Sequence, residues 1–265
     1  MTVAPIFDPD AVQRPMRVAA FMSGSGTNIL RLLEHQARLE EQESRSPFET
    51  VFIFSDRSDG RCAGEGIALA HGLPYVSYDI RAFHQKRGLK RTVRTPEGLN
   101  NRKQYDRVAA ALVEAFDVDV IALGGYMSYI TLNRCVNVHP ADLSIRRKDG
   151  RRRFVGDHAV RDAILAGETT LRASTLWTDE GVDTGPLLMV SDPLPVNLPK
   201  PLEELVRDEA AFSATVDAHQ EQLKAVGDWK IFPKTIEMIA RGRIALDEDS
   251  RVYVDQTPAP DGYRA

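Results

Sequence analysis

The sequence predicts an α/β fold, an open twisted, mostly parallel sheet with helices on both faces. Three observations predict it. Short apolar runs alternate with segments of helical periodicity from Arg17 onward. The run VDVIALGG is almost continuously apolar, as a strand buried on both faces must be. A Gly/Ser turn joins the first strand to the first helix.

Taken in order, residues 17–22 (RVAAFM) read as a buried strand, and Ile29, Leu30, Leu32 and Leu33 mark a helix running to about Glu41. TVFIFSD is a second strand ending near Ser55, residues 63–70 a helix, and residues 75–78 a short strand after Pro74. Residues 83–100 are basic and broken by Gly and Pro, which predicts a long loop or insertion. A helix follows from Arg102 to Phe116, then the central strand VDVIALGG, then RCVNVHP, a strand stopped by Pro140. HAVRDAILAG reads as a helix, LRASTLWT and PLLMVSD as strands around the turn DEGVDTG, and residues 201–225 and 234–241 as helices. RIAL and RVYV can pair as a hairpin. The predicted organisation is an N-terminal extension (1–15), a main domain (16–246) with basic insertions near 84–100 and 144–154, and a tail (247–265).

Composition narrows the class. A chain of 265 residues, 43% hydrophobic and 27% charged, is ordinary globular protein. No apolar run approaches the roughly 18 residues that span a bilayer, and the first fifteen residues carry Asp8, Asp10 and three prolines where a signal peptide would be basic and then apolar. Cys62 and Cys135 form no CxxC pair, which suits a reducing cytoplasm. A net charge of -4 points to neither nucleic acid nor a membrane surface, so small molecules are the expected partners; a homodimer is compatible with the sequence. The six histidines are scattered, and no metal site is expected.

Ser23-Gly24-Ser25-Gly26-Thr27-Asn28 lies between a strand and a helix, where backbone N–H groups and the positive end of the helix dipole converge on an anion. Glycines suit that place because a side chain would block the approach of a phosphate. Ile29 stands where a dinucleotide fingerprint needs a third glycine, and the Gly-Lys-Ser/Thr of a Walker loop is absent. A mononucleotide or sugar phosphate remains, against a glycine-rich connection with no ligand.

Asn137 and His139 in VNVHP are two apart, so in a strand they point to one face at its carboxyl end, where open α/β sheets bind ligands. An amide donor beside an imidazole suits a developing oxyanion, although a lone histidine near a strand end is more often structural. Asp183, on a turn tightened by Gly181, Gly185 and Pro186, can approach His139, raise its pKa and orient it, or can cap its own turn.

Together SGSGTN, GGYM, NVHP and DEGVDTGP occur in the order found in the folate-dependent formyltransferases, which the chain resembles from about Arg17 to Leu246, and the glycine-rich loop points to the branch acting on glycinamide ribonucleotide. The resemblance implies a Rossmann-like formyltransferase fold and direct transfer of a formyl group from 10-formyltetrahydrofolate, as co-substrate, to the amine of a phosphorylated small molecule, without metal. It implies a catalytic trio of Asn137, His139 and Asp183, with His139 protonated. It also implies substrate phosphate contacts from Ser25, Gly26, Thr27 and Asn28, a substrate contact from Asp228, and a folate pocket lined by Met127, Ser128, Tyr129, Ile130, Asp179, Glu180, Gly181 and Val182.

The chain departs from that pattern at Ser128, where many members carry Arg, at Leu176, where His is common, at Lys224, one position out of register, and in the basic stretch ADLSIRRKDGRRRFVG. These departures bear on the acceptor amine. The alternatives are a different phosphorylated or nucleotide-linked amine, a formyltetrahydrofolate hydrolase in which water replaces the amine, or a silent folate- or nucleotide-binding protein. The phosphate loop argues against the hydrolase, and the trio against the silent binder. The basic run 146–153 is either solvated or focuses potential on an anion such as a second phosphate or a polyglutamate tail.

Overall fold

A computed structural model describes residues 2–264. The chain folds as two units, one of residues 7–137 and 236–242, the other of residues 1–6, 138–235 and 243–265.

The first unit is built on parallel strands in the order Cys135–His139, Val120–Leu123, Met16–Met22, Phe48–Ser55, Tyr75–Ser77. Every residue of Val120–Leu123 is buried, as expected of a strand covered on both faces. Phe21, Phe52, Phe54 and Tyr126 form the centre of its core; the Phe21 and Phe54 ring centroids are 4.8 Å apart. Helices Thr27–Glu43, Gly64–Ala70, Ile80–Arg87 and Pro96–Ala115 connect the strands. The segment expected to be a long loop at 83–100 is a loop only between Arg87 and Pro96. Asp79 caps the helix Ile80–Arg87 by accepting the Ala82 amide at 2.8 Å, and Gly88 closes it in the left-handed conformation. Thr95 accepts the Gly98 amide at 3.1 Å and Pro96 occupies the first helical turn, so the next helix begins six residues before Arg102. Gly98 is no breaker: a Cβ there would overlap the carbonyl of Thr92.

In the second unit Ser174–Trp177 runs antiparallel to Leu187–Val190, and Tyr263–Arg264 adds a parallel edge to the latter. Mixed pairing is confined to this side, and the sheet as a whole is mostly parallel. A small antiparallel sheet joins Ala4–Pro5, Ile244–Leu246, Val252–Val254 and Thr257–Pro258. Both termini therefore contribute strands. Helix Glu209–Leu223 continues through a wide π turn, Lys224–Asp228, into a helix that starts at Trp229, earlier than the expected residue 234. Pro233 withholds the N–H that an α-helix would give the carbonyl of Trp229.

Among the described residues no helix is long and apolar enough to cross a membrane, and no three His, Cys, Asp or Glu side chains are grouped to hold a metal ion.

Candidate active site

The strand Met16–Met22 delivers the chain into the glycine-rich loop. Ser23 is buried at its exit; its amide donates to the carbonyl of Gly125 at 3.0 Å and its Oγ accepts the amide of Met127 at 2.9 Å. The loop is thus stitched to residues 125–127. Gly26 caps the 17-residue helix Thr27–Glu43 with φ of 69°, and no side chain caps that helix end. Its first amides and dipole are placed to hold an anion. Ser25 is exposed, Thr27 and Asn28 are half-buried, and Asn28 Oδ1 has no hydrogen-bond partner. Gly26 is a glycine for a different reason from the one the sequence suggests. A Cβ there would overlap Met22 Cε and stand 2.6 Å from Ile67 Cδ1, so it points into the core and not into the anion's place. Gly24, with nothing within 4 Å of its Cβ, is the open position.

Residues 127–130 form a loop pinned at both ends. Arg102 and Asp106 lie one helical turn apart, each 2% exposed, with Arg102 Nη2 3.0 Å from Asp106 Oδ1. Arg102 Nη2 donates to the Tyr126 hydroxyl at 3.1 Å, while Asp106 Oδ2 accepts both the amide and the Oγ1 of Thr131 at 2.8 Å. Burial opposes the charge on Arg102, but Tyr126 and Asp106 hold it above its ordinary pKa; burial raises that of Tyr126. Between these anchors Met127 is 69% exposed, Tyr129 half-buried, Ile130 buried, and Ser128 donates to Asp56, a buried carboxylate at the end of strand Phe48–Ser55. Sequence reasoning missed the Arg102–Asp106 pair and Asp56. A signal for the pair exists, since residues 102 and 106 fall on the same helical face as Tyr105 and Ala109, where a charge needs a partner.

Asn137 and His139 are alternate residues of the strand Cys135–His139 and share a face. Asn137 is half-buried; His139 is buried, and its Nε2 makes no hydrogen bond. On its other edge Nδ1 lies 3.6 Å from Asp183 Oδ2, longer than a hydrogen bond and within range of strong electrostatic coupling. Burial pushes the His139 pKa below its ordinary value; Asp183 and the Phe154 carbonyl pull it up, and Arg152 pushes it further down. Asp183 thus acts on His139 in the expected direction, but burial wins. The balance of these causes favours the neutral imidazole over the charged one. The carboxylate beside Nδ1 favours the tautomer with its hydrogen there, leaving a lone pair on Nε2.

Asp183 has φ of 54°, a left-handed conformation that costs a non-glycine residue about 1 kcal/mol or more. Three hydrogen bonds hold it. Its Oδ2 accepts the Gly156 amide at 2.9 Å, Arg152 Nη1 donates to its carbonyl at 2.5 Å, and Arg152 Nη2 donates to the carbonyl of Gly185 at 2.7 Å. Asp179 closes the same turn by accepting the Gly181 amide at 2.9 Å and the Thr184 hydroxyl at 2.6 Å, leaving Glu180, Gly181 and Val182 exposed at its tip. Capping of this turn therefore falls to Asp179, and the Asp183 carboxylate is directed to His139 and Gly156. Asp228 is buried at the end of the π turn, a distortion frequent at functional sites.

The formyl transferase family pattern matches residues 16–207. The trifunctional purine biosynthetic protein adenosine-3 of Bos taurus is 23% identical over 243 residues, 89% of this chain and 19% of that protein. The chain thus spans about a fifth of the length of the trifunctional relatives it matches. The phosphoribosylglycinamide formyltransferase of Haemophilus influenzae is 22% identical over 253 residues, covering 92% of this chain and 96% of that one. The solved phosphoribosylglycinamide formyltransferase of Coxiella burnetii superimposes with a TM-score of 0.64 at 20% identity, over 95% of this chain and 99% of that one. With the fold matched along nearly its whole length and the pattern covering well over half of it, the chain belongs to the formyl transferase family.

Proposed function

We propose that this protein transfers the formyl group of 10-formyltetrahydrofolate to the primary amine of glycinamide ribonucleotide, a step of purine biosynthesis. The observation that carries the reading is the buried His139 ring, with Asp183 beside Nδ1 and no partner on Nε2, two residues along the strand from Asn137. A structural histidine would have both nitrogens satisfied.

In the proposed reaction Asn137 donates to the formyl oxygen as the amine adds to the formyl carbon and negative charge develops. Neutral His139 accepts the amine proton on Nε2, and the resulting imidazolium, stabilised by Asp183, adds a second donor to the adduct. Collapse breaks the bond from carbon to the folate nitrogen, and His139 returns its proton to that leaving nitrogen. The helix start at residues 26–28 holds the acceptor's phosphate, with Asp228 on the same substrate. Met127 and Val182, exposed apolar side chains on their loops, are suited to the folate ring. Ser128 carries no charge and its hydroxyl is spent on Asp56, so the folate glutamate carboxylates need another donor. The two free cysteines fit a reducing, cytoplasmic setting.

The test is formyl transfer from 10-formyltetrahydrofolate with glycinamide ribonucleotide and, separately, with water as acceptor. Formylated ribonucleotide at a rate well above free tetrahydrofolate release supports the reading; release unaffected by the ribonucleotide overturns it in favour of hydrolysis.

A further inference from the structure

We infer that Arg152 is a positioning residue for this reaction, and that the basic hairpin carrying it serves to hold Asp183 in place. The inference rests on the proposed role of Asp183 beside His139.

The segment that the sequence leaves as a charge run is an ordered hairpin. Arg147 donates its amide to the carbonyl of Arg151 at 2.7 Å, Arg153 to that of Ile145 at 2.9 Å, and Gly150 to that of Arg147 at 2.9 Å, with Arg146 and Arg152 facing each other across the two arms. Most of its cations serve the hairpin itself or the surface. Arg146 Nη1 donates to the Gly150 carbonyl at 3.1 Å, Arg147 Nη2 to that of Arg153 at 3.3 Å, Arg151 pairs with Asp149 at 2.9 Å, and Arg153 with Glu168 at 2.9 Å. Arg152 behaves differently. It is half-buried and spends its fork on two carbonyls of the 179–185 turn, those of Asp183 and Gly185.

Two carbonyls two residues apart, gripped by one planar group, fix the curvature of the backbone between them, and a point-like ammonium cannot grip both in the same way. The residue gripped has φ of 54°, a conformation that persists only when its surroundings enforce it. Gly156, three residues beyond the hairpin, donates to the carboxylate of the same residue. The hairpin end therefore determines both the backbone and the side chain of Asp183. Neither reading offered by the sequence, idle charge or an anion trap, describes Arg152, whose charged end faces protein carbonyls.

The experiment compares Arg152→Met and Arg152→Lys with the exposed-site control Arg151→Ser. Steady-state transfer is measured against both substrates, and amide hydrogen exchange at Gly156 is followed by NMR. Both Arg152 variants are expected to lose about 10- to 100-fold in kcat with each KM within about threefold, and to speed Gly156 exchange at least about tenfold with Tm little changed. Arg151→Ser is expected to match the native protein. Wild-type kcat and exchange in Arg152→Met, full recovery by lysine, or a KM rise at unchanged kcat would each overturn the inference, the last by making Arg152 a substrate contact. If Arg152→Met does not fold, Arg152→Gln, which keeps one donor, takes its place. A native protein that transfers no formyl group would refute the proposed reaction, and the exchange measurement would still decide the clamp.

Discussion

Oδ2 of Asp183 lies 3.6 Å from Nδ1 of His139 while accepting the Gly156 amide at 2.9 Å, so one carboxylate oxygen couples the imidazole to the chain beyond the basic hairpin. Because burial depresses the His139 pKa and Asp183 partly offsets this, Asp183→Asn should lower the His139 pKa further. In the proposed reaction the neutral imidazole is the active form, so activity should fall as pH drops through its folded pKa, below the ordinary value near 6.5. The acid limb of the pH–rate profile should move to lower pH in the variant, and loss of the correct tautomer should reduce kcat by about 100-fold or more. An unmoved limb with kcat within a few-fold of native would remove Asp183 from this role.

In the proposed reaction Asn137 and His139 act mainly on the adduct, and Asn137→Ala and His139→Ala each remove one of those groups. Each should lower kcat by at least about 100-fold with modest changes in KM. The double variant should lose far less than the product of the two, because the groups serve one adduct. Additive losses would place them in separate steps.

Alternating strands and helices, the glycine turn between Met22 and Thr27 and the shared face of Asn137 and His139 were legible because each rests on local periodicity or on two-residue spacing. The left-handed Asp183 and its clamp were not. Arg152 sits in a run whose other members face solvent or the hairpin itself, and composition does not show which arginine reaches the carbonyls of Asp183 and Gly185. The 83–100 segment misled for a related reason: composition marks Gly88 and Pro96 as breakers, whereas their positions make them the end of one helix and the start of the next. The direction of the His139 shift was not legible because a sequence displays the nearby carboxylate and hides the burial that outweighs it.

The buried pair of Arg102 and Asp106 makes a stability prediction independent of chemistry. Asp106→Ala leaves a buried guanidinium uncompensated and strips the acceptor from the Thr131 amide and hydroxyl. The loss should be about 3–5 kcal/mol in chemical denaturation. Removing Asp59 from its exposed pairing with Arg57 should leave the midpoint essentially unchanged. A midpoint equally insensitive to Asp106→Ala would mean that water enters and solvates the Arg102 site.

The two loop glycines should separate packing from ligand binding. Gly26 has φ of 69° and no room for a Cβ beside Met22 and Ile67, so Gly26→Ala must distort the start of the helix Thr27–Glu43. The left-handed backbone alone costs an alanine about 1–2 kcal/mol, and the tilted first-turn amides should weaken the phosphorylated acceptor. Folate affinity should change little, because residues 127–130 keep their anchors at Tyr126 and Thr131. Gly24 has open space around its Cβ, so Gly24→Ala should preserve stability, and any rise in KM should be confined to the phosphorylated substrate, whose phosphate would meet the new methyl group. Urea denaturation with KM values for both substrates tests the pair. Equal weakening of both ligands by Gly24→Ala, or no effect of Gly26→Ala on the acceptor, would move the phosphate site away from this helix.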